Sequence, residues 1–150
     1  MRRLGDPVVE AGTFWFPAFV AGPIFILLSA LFTLPASPTW PDMLPLAEPL
    51  PLFPFRIFVF MLLAAGFGMI PALVLLVPGI HLMLALARLS AGMQLFPAWG
   101  LAGGTVAAGV LAAFGLRDFA NPIALAFVAT GILCALLARR YVRWFPETEK

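Results

Sequence analysis

The chain has 150 residues, of which 63% are hydrophobic and 11% charged, with a net charge of +2. Soluble domains run at about 45–50% apolar and about 25% charged, so a globule of this size cannot hide this much apolar surface from water, and lipid is the expected solvent. The small net charge and dispersed arginines exclude a nucleic-acid surface, and the single cysteine excludes an intrachain disulfide or a multi-cysteine metal or iron–sulfur site.

The expected fold is all-α: one polytopic membrane domain spanning residues 1–150, with four transmembrane helices. About 20 helical residues cross the hydrocarbon, and backbone polar groups in lipid need internal partners, so each span must be helical. The first span, about 14–34, carries no charge. Its apolar run exceeds a signal-peptide h-region, and its flank holds Asp6 and Glu10 beside Arg2 and Arg3, so it reads as a span and not as a cleaved leader.

Between the first and second spans lies "PASPTWPDMLPLAEPLPLFP", residues 35–54, with seven prolines in twenty positions. Proline lacks an N–H and disfavours a helical residue before it, so an extended or turning periplasmic loop is expected. Trp40, Leu44, Leu46, Leu50 and Phe53 make it unusually apolar. It reads either as a stiff connector against the headgroups or as a docking strip for a partner protein.

The second span is expected over about 57–77. From Ile57 to Ala87 there are 31 uncharged residues, and as one straight helix they would extend about 46 Å, well beyond the hydrocarbon. Pro71 should kink this run. Pro78–Gly79 should end it, since proline disfavours a helical residue before it and glycine loosens the next step. Residues 80–92 would then form a short helix along the cytoplasmic interface, with His81 and Arg88 toward the headgroups and leucines toward the acyl chains. His81 is the only histidine. It reads as an interfacial side chain, or alternatively as an axial ligand to a haem or chlorophyll-type pigment, for which a second ligand would have to come from elsewhere.

The third span, about 98–116, carries Gly100, Gly104, Ala108 and Ala112 at four-residue spacing, and the second carries Ala64, Gly68 and Ala72. Small residues so spaced let two backbones approach closely, either within the chain or against another subunit. The fourth span, about 122–138, ends in "RRYVRW".

Arg2, Arg3, Arg88, Arg139, Arg140, Arg143 and Lys150 fall on one side of this topology, and only Arg56 and Arg117 on the other. That bias places both termini in the cytoplasm. Trp15, Trp99, Tyr141 and Trp144 fall near the same interface. Arginine outnumbers lysine eight to one, and alanine, glycine and proline abound, a bias of GC-rich bacterial genomes; the bacterial inner membrane is the expected location.

No Asp, Glu, Lys or Arg lies deep in a predicted span. A proton-coupled exporter or an intramembrane protease needs such groups, or a histidine pair or serine–histidine dyad. The hydroxyls of Ser29, Thr33, Thr105 and Thr130 are expected to bond back to their own helices. The chain is therefore read as a non-enzymatic subunit, an accessory, scaffold or assembly component associating with other membrane proteins or with itself. The alternatives are a homo-oligomeric transport or channel component and a membrane-resident immunity protein.

Overall fold

The computed structural model describes residues 7–10, 12–33, 52–116 and 118–144. Four helices in it are long and apolar enough to cross a membrane, and the chain is a multi-pass helical membrane protein. A short strand β1 (Pro7–Val9) precedes α1 (Gly12–Thr33). Then follow α2 (Leu52–Leu89), a 3₁₀ turn (Ala91–Gln94), α3 (Phe96–Ala113), α4 (Pro122–Arg140) and a second strand β2 (Val142–Trp144). Residues 35–51, which hold most of the proline-rich loop, lie outside the described residues. Phe53 and Pro54 fall in the first turn of α2, where proline costs least because the N–H it lacks would have no helical partner.

The largest departure from expectation is in α2. It does not stop at Val77–Gly79 but runs unbroken for 38 residues with Pro71 and Pro78 inside it. No separate interfacial helix exists; residues 80–89 are its last turns, and the 3₁₀ turn and Ser90 account for the remainder of 80–92. The reason is the solvent. An interior proline forfeits one hydrogen bond, at about 3 kcal/mol in water. Unwinding in hydrocarbon exposes several backbone groups at a few kcal/mol each. Breaking the helix is thus the costlier choice, and the Pro–Gly stop signal of soluble proteins loses.

At roughly 57 Å, α2 is longer than any bilayer crossing requires. It runs beside α1 from the Gly22–Gly68 contact to the His81–Phe14 contact, and its last two turns project past the start of α1. One face of that overhang is covered by the chain itself, while Leu82 and Leu89 stay exposed. Ile80 and Met83 of α2, Trp99 of α3, Ala138 of α4 and Val142 of β2 form one buried cluster, with Phe14, Leu86 and Trp144 against it.

Short local signals end the other helices. Gly115, with φ 78°, follows α3 in the left-handed region. Its N–H donates to the Ala112 carbonyl at 3.0 Å, while Leu116 N–H reaches back to Leu111 at 2.9 Å, the paired bonds of a Schellman stop. Asn121 caps α4, its side chain accepting from Ile123 N–H at 2.9 Å, with Pro122 as first helical residue.

The strands were not expected, being three residues each and too short for periodicity to show. They pair antiparallel, Pro7 opposite Trp144, Val8 opposite Arg143 and Val9 opposite Val142, and Glu10 bonds Arg143 at 2.8 Å across the ribbon. Thr13 Oγ1 also donates to the Tyr141 carbonyl at 3.4 Å. The entry to α1 and the exit from α4 therefore lie at one end of the bundle, as an even number of crossings requires. Among the described residues this end carries Arg88, Arg139, Arg140 and Arg143 against Glu10.

Candidate functional site

Three interfaces of similar extent build the bundle, α1 on α4, α1 on α2 and α3 on α4, and in the α1–α2 and α3–α4 pairs glycine removes the Cβ from the contact. In the α1–α2 pair, a Cβ on Gly22 would collide with the Ala64 carbonyl, and one on Gly68 would lie 2.7 Å from the Gly22 Cα. In the α3–α4 pair, a Cβ on Gly103 would collide with the Gly131 carbonyl and lie 2.6 Å from the Ala135 Cβ, while one on Gly131 would lie 2.8 Å from the Ala107 Cβ. These approaches are what small residues provide in lipid, where packing and not water drives association. The two pairs join through α1 and α4: Phe25 meets Phe127 edge-on at 6.1 Å, and the buried Cys134 Sγ lies 3.5 Å from the Pro17 carbonyl.

The small residues singled out from sequence are thus divided. Ala64 and Gly68 face α1, and Gly100 and Gly104 face the Leu136 and Ile132 side chains of α4. Ala108 and Ala112 are only half-buried, because a strict four-residue stripe drifts by about 120° from Gly100 to Ala112 at 3.6 residues per turn. The contact face instead follows Gly100, Gly103, Gly104, Ala107 and Leu111. Sequence reasoning missed Gly22, Gly103 and Gly131, although Ala18–Gly22, Gly103–Ala107 and Gly131–Ala135 each show the small-xxx-small spacing.

Ala72 faces neither pair. It lines a half-open crevice of about 580 Å³ between α2 and α3, with Gly79, Ala102, Gly103 and Trp99 also on its walls, and Gly22 of α1 and Thr130 and Gly131 of α4 at its floor. The crevice exists because α2 packs chiefly on α1 and α3 on α4, while α2 and α3 converge only at the corner that joins them.

That corner is tied by polar groups. Arg139 Nε donates to the Gln94 carbonyl at 2.7 Å and Nη1 to the Val142 carbonyl at 2.8 Å, and its guanidinium lies 5.2 Å above the Phe96 ring. Trp99 Nε1 donates to the Met93 carbonyl at 3.0 Å.

Three of the four span hydroxyls expected to bond back to their own helices do so, and the fourth, the buried Ser29 Oγ, has no hydrogen-bond partner. Thr105 donates to Leu101 at 2.8 Å, Thr130 to Ala126 at 2.7 Å and Thr33 to Ser29 at 2.7 Å, as expected of hydroxyls in apolar surroundings. Among the described residues, no three His, Cys, Asp or Glu side chains gather as a metal site would require. His81 is exposed, with Nδ1 2.7 Å from the Val77 carbonyl. Carbonyls only accept, so Nδ1 is the donor. The ring stacks on Phe14, centroids 5.9 Å apart, joining α2 to the start of α1. Trp40, Leu44, Leu46 and Leu50 lie outside the described residues, and the side chain of Phe53 does too.

Compared with protein-family models, with curated proteins and with solved structures, the chain matches none.

Proposed function

We propose that this chain is a non-catalytic, multi-pass subunit of a larger membrane complex in the bacterial inner membrane. The observation that carries the reading is the attachment of α2. This 38-residue helix is held along one edge by α1, and its other flank presents Phe55, Phe58, Leu62, Phe67 and Ile70, all more than half exposed. Ridges of large side chains on a helix longer than the bilayer needs are what a neighbouring subunit would pack into. The back-bonded hydroxyls are consistent with a role in assembly rather than chemistry.

Purification from the native host in mild detergent, followed by mass spectrometry, is expected to return a membrane partner in fixed stoichiometry. Phe58→Ala with Leu62→Ala, both more than half exposed, should lose that partner while the bundle stays folded. Recovery of the chain alone, or an unchanged partner with the double variant, would refute the proposal. A partner that proves to be a toxin would make the same flank an immunity surface.

We place both termini in the cytoplasm. The pairing of Pro7–Val9 with Val142–Trp144 at one end of the bundle, and the basic excess at that end, support this reading. A phosphatase fused after Lys150 should be inactive and a fluorescent protein at the same position bright; the opposite pattern would invert the topology.

A further inference from the structure

The middle of α2 is held less firmly than either side of it. Gly68 lies against the Gly22 backbone of α1, and Ile80 opens the stretch buried with Met83 against Trp99. Ala65 and Ile80 are 1% and 2% exposed, yet none of residues 69–79 is buried. These residues make about 16 Å of helix between two fixed points.

Both interior prolines of α2 fall in this stretch, one near each end. Pro71 follows the Gly68 contact, and Pro78, with Gly79 after it, precedes Ile80. Each proline removes one rung of the hydrogen-bond ladder and crowds the carbonyl four residues back, at Phe67 and at Val74, and such positions are where helices bend. A Cβ on Gly79 would meet nothing within 4 Å, so no neighbouring group braces the second bend. A helical segment with both ends fixed is displaced sideways only by bending at two points. Pro71 and Pro78–Gly79 supply the two.

The crevice gives the displacement its direction. Ala72, Leu75 and Gly79 line it from α2, and Ala102, Thr105 and Val106 from α3. Apolar walls that do not touch forfeit their dispersion contacts. Moving the middle of α2 toward α3 recovers those contacts and requires bends only where the ladder is already interrupted. We propose that residues 69–79 form a strap, hinged at Pro71 and at Pro78–Gly79, that closes the crevice against α3 from the open position seen here. The chain itself then covers the crevice, while the Gly22–Gly68 contact and the corner cluster stay in place.

Disulfide trapping reads the closed position. In protein carrying Cys134→Ser, which removes the native thiol, Ala72→Cys with Val106→Cys puts one thiol on each wall. Leu75→Cys with Thr105→Cys is a second such pair. A disulfide needs Cα atoms within about 7 Å of each other, so the bond forms only when the walls meet. Mild oxidant added to membranes is expected to cross-link at least one pair within a single chain. Absence of the bond from both pairs in folded protein would overturn the proposal.

Pro71→Ala with Pro78→Ala restores both rungs. It should slow the same cross-link by about tenfold or more while circular dichroism still reports a folded helical protein. Cross-linking at the parent rate would show that α2 does not bend at the prolines, and would equally overturn the strap.

Discussion

Gly103→Ala, the addition of one methyl group, is expected to destabilise the bundle by about 1–3 kcal/mol or more, the range for overpacking a close-packed contact. The new Cβ would run into the Gly131 carbonyl and the Ala135 Cβ. The obstacle is largely backbone, which no rotamer change relieves, so α3 must move away from α4. Gly22→Ala meets the Ala64 carbonyl in the same way and should separate α1 from α2. The sign is what makes the test sharp. In an open helical position, glycine to alanine is favourable by up to about 1 kcal/mol, and a Cβ on Gly66 or Gly109 meets nothing within 4 Å. Thermal unfolding in detergent should therefore fall by roughly 3–10 °C for the first two variants and hold or rise for Gly66→Ala and Gly109→Ala. Four variants moving in the same direction would show that these contacts do not hold the helices together.

Arg139→Gln is expected to cost about 2–4 kcal/mol, because two charge-assisted hydrogen bonds to backbone carbonyls are lost together. One of those carbonyls belongs to Gln94, in the turn before α3, and the other to Val142, in the ribbon after α4. The side chain thus joins three chain segments, and the loss should concentrate at the corner. Limited proteolysis is expected to cut near residues 90–95 in the variant but not in the parent. Arg139→Lys should restore less than half the stability, since an ammonium on a flexible stem cannot reproduce a fork that also lies over Phe96. Full recovery by lysine would reduce Arg139 to a point charge at a basic interface.

The overhang of α2 shows where local signals mislead. Pro78–Gly79 reads as a stop because the cost of a proline is familiar and the cost of unwinding is small when water receives the freed groups. In lipid the second cost dominates, and His81 to Leu89 becomes helix. Length alone makes the run longer than a minimal crossing, and one face of these last turns, Met83 and Leu86, packs in the cluster of Trp99 and Val142. The His81 ring was legible only as a lone polar group; Phe14, its stacking partner, is 67 positions away in the chain. The β1–β2 ribbon joins residues still farther apart, and three-residue strands carry no period to read.

What the sequence determined by itself is the class and, for the first, third and fourth spans, the approximate limits. Uncharged runs near 20 residues long have one solution in hydrocarbon, because every backbone donor must find its acceptor within the segment. Only the tertiary structure decided which small residues matter and what lies between the helices. Composition offers many Gly and Ala pairs at suitable spacing, and each is as apolar as the lipid it would displace. The choice of Gly22 with Gly68, and of Gly103 with Gly131, depends on how whole helix surfaces interlock, a property of two segments at once. The crevice is the remainder of that choice: α2 commits to α1 and α3 to α4, and the two meet only at the corner that joins them.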